Sequence, residues 1–444
     1  MLTNWIKTYN VPTGTMTFQF DYDNQYRELD FDVIKVAKFK YGYEDDDALT
    51  FYPNSVTMEF DDPYRFNYEV LKLSIGQFNN TFPENYGDYS GVSIWHNRAL
   101  KFKGYINPLT LEYKDSDRTV SFEVVDRSRG LNDMSLELPD GWTGQAMYGL
   151  GELVHEIYKK VFPDLDGTIY TSRTFTNGIY VNHDWTFKGK DLFSSATASK
   201  DWSVADEFNQ VAISWNYYTN LWGADRPAST YRDMIKLLAL QFGMTIGALD
   251  YNKIYLVKRF NVANTSPTNI NDILVEGYKR TLHLNVMHGV RITNHWHAIG
   301  GGERTFTAGT VETINSEGEL RYPNLVKQFD TYIGQYDAPW VQSNIYVLDG
   351  GVKYMVYTYA GTDLGVYDPV LGYRGHISNV ICNWTYQSRL KPKDRIECEL
   401  YGTDFELIDF LTITDPIYPS IIFRPMTLEK DYLGNKTSLT GIEV

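Results

Sequence analysis

The sequence predicts a mainly β protein with an α+β insert, and three observations predict it. Alternating apolar and polar runs, bounded by turn residues, fill both ends of the chain. Aromatic residues make up 15% of the total, with 35 Tyr, 23 Phe and 10 Trp, and aromatic side chains favour pleated, half-buried strands. Two amphipathic helical stretches stand in the middle, each followed by a hairpin signal. A chain of 444 residues exceeds one ordinary core, so two or three units are expected. The pattern divides them as a strand-rich 1–138, a helix-plus-hairpin layer over 139–265, and a second strand-rich segment over 266–444.

The first unit reads as strands throughout. Val33 to Phe39 and Ser55 to Phe60 alternate, and Phe51 to Pro53 is a short run before the second. The acidic run Glu44-Asp45-Asp46-Asp47 lies between strand signals and reads as a solvated loop. Hairpin turns fall at Asn97-Arg98 and at Lys114–Arg118. Phe102-Lys103-Gly104-Tyr105-Ile106 is one strand, and Val120, Phe122 and Val124 mark one face of another, with Ser121 and Glu123 opposite. Asp126 and Leu131 follow where that strand must leave its sheet.

In the layer, Met147, Leu150, Val154, Ile157 and Val161 recur at helical spacing, and Pro163 stops the pattern. A second helix starts near Pro227. Thr230 and Asp233 fit a capping box, Tyr231, Met234, Ile235, Leu238 and Phe242 share a face, and Gly243 ends the stretch. The first helix is followed by Ile169–Phe175, Asn177-Gly178 and Ile179–Val181; Asn-Gly marks a hairpin because both residues tolerate positive φ. The second is followed by Thr245–Ala248, Asp250–Asn252 and Ile254–Val257. Residues 183–228, rich in Trp, Ser, Thr, Asn and Asp with weak periodicity, read as an irregular insertion or long loop.

Strands return from 270. Asp349-Gly350-Gly351 joins Asn344–Leu348 to Val352–Tyr359, Arg395–Tyr401 and Phe410–Thr414 read as the last strands, and the polar tail Leu433–Val444 reads as loosely held.

The order within residues 99–131 resembles the first barrel of phage tail baseplate hub proteins: a strand with Phe-x-Gly-x-Ile, a short acidic turn, a strand ending in Asp126, then Leu131. Tyr231–Leu238 through Lys253–Leu256 is similar to the helix, short turn and hairpin that stand between two barrels in such proteins. Lys393–Leu400 with Leu407-Ile408-Asp409 looks like a second barrel's closing strands. The insertion at 183–228 and the segment 262–345 match nothing in that pattern. The resemblance implies two β-barrel-like domains, 1–138 and 266–444, separated by the helix-plus-hairpin layer. It implies a structural virion protein: a homotrimeric baseplate hub joining tail tube to spike or tip as a ring with a central channel. The implied partners are the tail tube or distal tail protein, spike or tip, and tape-measure proteins. The implied location is the virion tail, after synthesis in the host cytoplasm. Two similar barrels in each of three subunits present a near-sixfold ring to a sixfold tube and a threefold face to a spike. No catalysis and no cofactor are implied, and genome ejection would pass DNA through the channel.

Net charge of −15 argues against adhesion to nucleic acid and suits a wall past which DNA slides. It also describes an ordinary acidic soluble protein. Cys382 and Cys398 make no disulfide framework and no Cys-x-x-Cys pair, consistent with a reducing place of synthesis. The first thirty residues carry no signal-peptide pattern, and no window reaches the ~18 apolar residues of a membrane helix.

Of the chemical constellations, the group His283, His288, His295 and His297 stands out. On a strand, His295 and His297 share a face, a workable metal pair, with His288 or His283 as a third ligand. No acidic or Cys ligand accompanies them at diagnostic spacing, so the expectation is ordinary strand histidines and no metal site. His155-Glu156 lacks the second His of a zinc-protease helix. Gly300-Gly301-Gly302-Glu303-Arg304 lacks the Lys-Ser/Thr of a phosphate loop and reads as a flexible turn. Asp21, Asp23, Asp30 and Asp32 lack the central Gly and final Glu of a calcium loop. No Gly-x-Ser-x-Gly elbow occurs, and Cys382 has no nearby base. Carboxylates are plentiful at 56, and a glycosidase needs only two. Hence a carbohydrate-binding or glycan-cleaving tail component is the alternative, recognisable by exposed Trp and Tyr faces beside two carboxylates.

Overall fold

The computed structural model describes residues 2–23, 28–44, 50–76, 91–137, 147–162, 168–176, 179–186, 212–214, 229–242, 244–248, 254–258, 267–296, 302–315, 319–333, 344–349, 352–358, 364–368, 373–376, 382–383, 385–414, 417 and 419–444. The protein is mainly β with a small helical part, as its sequence pattern predicts.

Residues 1–138 contribute β1 (Leu2–Val11), β2 (Gly14–Asp23), β3 (Ile34–Gly42), β4 (Ser55–Asp61), β5 (Gly91–His96), β6 (Ala99–Ile106), β7 (Glu112–Lys114) and β8 (Thr119–Asp126). Both expected hairpin turns are present, with Asn97, Arg98 and Arg118 at positive φ. Helix α1 (Phe66–Gly76) interrupts a stretch read from sequence as strands only. Its buried face mixes Val70 and Leu71 with Asn67 and Ser74, so no apolar stripe announces it. Asp62 starts it, accepting hydrogen bonds from the backbone N–H groups of Phe66, Asn67 and Tyr68.

Next come β9 (Met147–Gly149), helix α2 (Leu150–Lys159), β10 (Thr168–Thr176), β11 (Ile179–Thr186), β12 (Ala212–Ser214), helix α3 (Tyr231–Phe242), β13 (Met244–Ala248) and β14 (Ile254–Lys258). The two helix-plus-hairpin units share one sheet, ordered β11-β10-β14-β13, because β10 and β14 pair in parallel. Within the expected insertion, β12 pairs with β9. The turn residues Asn177-Gly178 and Asp250–Asn252, with Pro163, Pro227 and Gly243, lie outside the described residues. Helix α3 is capped as its sequence predicts: Asp233 accepts from the N–H groups of Ser229 and Thr230, and its own N–H donates to Thr230 Oγ1 at 3.2 Å.

The remaining strands are β15 (Thr268–Asn269), β16 (Leu274–His283), β17 (Gly289–Trp296), β18 (Gly302–Gly309), β19 (Val326–Ile333), β20 (Asn344–Asp349), β21 (Val352–Thr358), β22 (Leu364–Asp368), β23 (Tyr373–His376), β24 (Lys393–Tyr401), β25 (Leu411–Ile413), β26 (Ile421–Asp431) and β27 (Lys436–Glu443). Three expectations change here. Gly302-Glu303-Arg304 opens β18 rather than a turn, held by pairing with β17. Phe410–Thr414, which holds β25, is not the last strand, since β26 and β27 follow it. The tail is not loosely held: β27 lies between β24 and β26. Its inward residues Thr437, Leu439 and Gly441 are buried, and Thr and Gly at two of those three positions hide the strand alternation in a polar-looking sequence.

The dominant element is a large curled, mostly antiparallel sheet whose main path runs β1-β2-β5-β6-β8-β4-β3-β26-β27-β24-β16. It passes without interruption from strands of 1–138 to strands of 266–444, because β3 pairs with β26. One hydrophobic core follows it across that seam. Phe18, Phe20, Phe31, Phe60 and Phe122 pack at one end, with Phe31 and Phe60 stacked at 4.2 Å. Ile396, Leu407, Leu411, Phe423 and Leu428 continue it at the other.

Candidate functional site

The corner after β8 organises the molecule's centre. Gly104 of β6 pairs with Asp126, and a Cβ there would stand 2.1 Å from the Val125 carbonyl oxygen, so only glycine lets the two strands approach. Asp126 ends β8 and caps the 3-10 turn of residues 127–132. Its Oδ2 accepts the Asn54 N–H at 2.5 Å, and its Oδ1 accepts the Ser128 N–H at 2.7 Å and the Ser128 hydroxyl. Leu131, at the end of that turn, is fully buried.

The same corner holds the layer. Asn54 donates its Nδ2 to the Ala248 carbonyl of β13 at 3.1 Å. Arg232 of α3, buried inside an otherwise apolar stripe, bonds the Phe51 carbonyl and meets Glu44 Oε1 at 2.6 Å. Glu44 also receives Lys236 at 3.3 Å and the Thr50 hydroxyl at 2.7 Å. The reading of the acidic run as a solvated loop therefore fails at Glu44, whose carboxylate is tied down by two cations of α3. Asp45–Asp47 lie outside the described residues. Thr50 bridges Ile246, and Gly247 leaves room for Phe51, whose ring carbon would stand 2.1 Å from a Cβ.

Electrostatics separate the two carboxyls. Burial pushes Asp126 up to about 6, against the pull of Ser128, Asn54 and the Arg232 charge. Burial also acts on Glu44, but the Arg232 charge and hydrogen bonds outweigh it and hold that carboxyl below its ordinary range. Tyr158 of α2 is buried beside this group, and burial raises its phenol. Asp126 spends its oxygens on local backbone and hydroxyl donors, and Glu44 on cations. This chemistry fastens three elements together rather than activating a nucleophile or a water.

The outward face of the large sheet carries an open groove of about 1020 Å³ across β8, β4, β3, β26, β27 and β24. Glu123, Glu397, Glu399 and Glu429 line it with Lys40 and Arg129. Three of these carboxylates are engaged across strands: Glu429 with Lys38 at 2.9 Å, Glu399 with Lys436 at 3.1 Å, and Glu397 with Lys279 at 3.0 Å. Tyr52 is exposed at its rim, while Tyr41 is buried, and among the described residues lining it there is no Trp.

The described histidines of the candidate group stand on different elements. His283 ends β16 opposite Lys393, and exposed His288 precedes β17. His295 occupies a β17 position between Glu303 and Tyr332, in a different sheet from His283, and His297 lies outside the described residues. Among the described residues no group of three or more His, Cys, Asp and Glu is placed to hold a metal. His155 stands 3.5 Å from its neighbour Glu156 on α2. Asp21 accepts from Gln19, and Asp32 pairs with Lys7 at 2.8 Å. Cys382 is buried against the Val290 carbonyl, and burial pushes both thiols up to about 12, away from nucleophilic use. Among the described residues no helix is long and apolar enough to cross a membrane.

The Arg232–Glu44 pair and Asn54 escaped sequence reasoning, because their partners are distant in sequence and Arg232 looks like a solvated helix position. The polar groups of this corner join β8, the segment before β4, and α3 with β13 within a β-rich fold. No family model and no curated protein matches the sequence. Along its length the chain is similar to solved structures of phage tail proteins. One is the tail protein from Neisseria meningitidis MC58, at 8% identity over 99% of this chain and 96% of that one, TM-score 0.44. Another is the 43 kDa tail protein of prophage MuSo2 from Shewanella oneidensis, at 10% identity over 96% and 97%, TM-score 0.43. A third is prophage tail protein gp18 from Listeria monocytogenes EGD-e, at 7% identity over 96% and 94%, TM-score 0.41.

Proposed function

We infer that this chain is a structural protein of a phage or phage-like tail, acting as a baseplate hub: a trimeric ring with a central channel that joins the tail tube to a spike or tip. One observation carries the reading. Two of the three stretches that bear the sequence resemblance, 99–131 and 231–256, meet at one buried corner, where Arg232 of α3 binds the Phe51–Glu44 loop and Asn54 links Asp126 to β13. The resemblance therefore describes connected structure rather than scattered matches. The three-part division, 1–138, 139–265 and 266–444, belongs to this proposal, with the β3–β26 pairing as the seam between the two β units.

The role requires no catalytic group. Copies of this chain, the tube or distal tail protein, the spike or tip, and the tape-measure protein are the proposed partners, in the virion after synthesis in the host cytoplasm. The acidic balance suits a channel wall that DNA passes without adhering. Cryo-electron microscopy of the purified protein tests this directly. A threefold ring with a central hole is the expected result. A compact monomer that binds bacterial surface glycans through the sheet groove would replace the hub reading with carbohydrate recognition.

A further inference from the structure

The main sheet ends in two edge strands of ten residues each, β1 and β16, and they are built differently. Strand β16 is guarded. Its register shifts between Leu274 and Tyr278, where Gly277 takes a φ of 99°, and Lys279 and Arg280 pair across to Glu397 and Asp394. Bulges and edge charges of this kind discourage further pairing. Strand β1 has none of these devices. It pairs with β2 without a register shift, contains no Pro and carries a single charge, Lys7, which is tied to Asp32.

The polarity of the β1 edge follows from its neighbours. The N–H of Thr15 bonds Asn97 Oδ1, and its carbonyl accepts the Asn97 N–H, so both groups point away from β1. Asn10, opposite Thr15, is therefore a non-bonded position of the β1–β2 ladder, and so by alternation are Thr8, Ile6 and Asn4. The N–H and C=O groups of these four residues face outward, and no described strand pairs with them. Their side chains are exposed, Ile6 by 60%. On the other face Trp5, Tyr9 and Val11 are only partly buried against the core. The segment crossing them, held by the Tyr9 hydroxyl to the Phe31 carbonyl at 2.7 Å, brings exposed Asp30 and Asp32 alongside Tyr9, with Asp32 paired to Lys7.

We propose that β1 accepts an extended strand from a different protein, apolar at alternate positions and bearing Lys or Arg. Outward backbone groups supply the ladder, the half-covered Trp5, Tyr9 and Val11 take the apolar row, and the flanking carboxylates select the basic one. The proposal stands independently of the number of subunits in the assembly.

The test uses the full chain and an octapeptide alternating valine and lysine, read by amide hydrogen exchange. Protection of the Asn4, Ile6, Thr8 and Asn10 amides by at least about tenfold is expected at saturating peptide. The variant Thr8→Pro should abolish it: this N–H has no partner within the sheet, and an edge strand tolerates Pro at such a position. A valine–glutamate octapeptide should give no protection. Three results would overturn the proposal: absent protection, equal protection by the acidic peptide, or protection that survives Thr8→Pro in a variant with wild-type melting. Concentration-dependent protection without peptide would also overturn it, by naming a second copy of this chain as the occupant.

Discussion

At the residue scale, the centre of the molecule turns on two carboxyls with opposite behaviour. Asp126 is raised by burial to about 6, so the native state binds its proton more tightly than the unfolded chain does. Its favourable contribution is complete below the ordinary carboxylate range and is lost as pH rises through about 6, on the order of 3 kcal/mol over that window. Asp126→Asn should remove this slope from a plot of unfolding free energy against pH, measured by urea titration; curves parallel to wild type would mean that Asp126 does not titrate there. Glu44 is held below its ordinary range by Arg232, so its contribution is present above that range and is lost as pH falls. Arg232→Ala leaves half-buried Glu44 with Lys236 as its remaining cation and the Thr50 hydroxyl as its remaining donor, and should cost about 3–5 kcal/mol at neutral pH. A loss under about 1 kcal/mol, the value of a surface pair, would show that the corner is wetter than its geometry indicates.

At the element scale, local chemistry decides what the sequence reveals. Helix α3 was legible because its cap and its stripe are both local, and the cap is now seen as reciprocal bonds between Asp233 and Thr230. Asp233→Ala should cost about 1 kcal/mol of stability by thermal melting. The hairpins at Asn97-Arg98 and before β8 were legible for the same reason. Helix α1 was not, since its start depends on Asp62 reaching forward and its buried face includes Asn67 and Ser74. Nor was β27, whose buried Thr437 and Gly441 are acceptable only because β24 and β26 flank them. Of the candidate site, Asp126, Leu131 and Gly104 stood out in sequence as a motif. The partners that give them meaning, Asn54 and Arg232, come from other elements. Gly104→Ala drives a methyl into the Val125 carbonyl and should destabilise by about 1–3 kcal/mol, seen as a lowered urea midpoint with unchanged m.

At the scale of the whole molecule, the sheet order sets an unusual dependence between the chain's two halves. The first half reaches the second through β3–β26, and β26 in turn reaches β24 through β27. The last strand in sequence thus sits inside the sheet, and its pairing depends on strands far back along the chain. Such long-range contacts impose slow, late closure. Removing residues 432–444 deletes β27 and leaves β24 and β26 facing each other across a missing strand, with Leu428 and Ile396 opened to water. The truncated chain should lose its near-ultraviolet circular dichroism and its cooperative melt, and should aggregate through the newly bared edges. The layer is fastened to the β3–β4 loop and to β8 rather than to β27, so its corner contacts should outlast that loss as a locally protected unit in hydrogen exchange. If instead the truncated protein melts like the full chain, β27 is an ornament on the sheet. The continuity of the sheet between strands of 1–138 and strands of 266–444 would then rest on β3 and β26 alone.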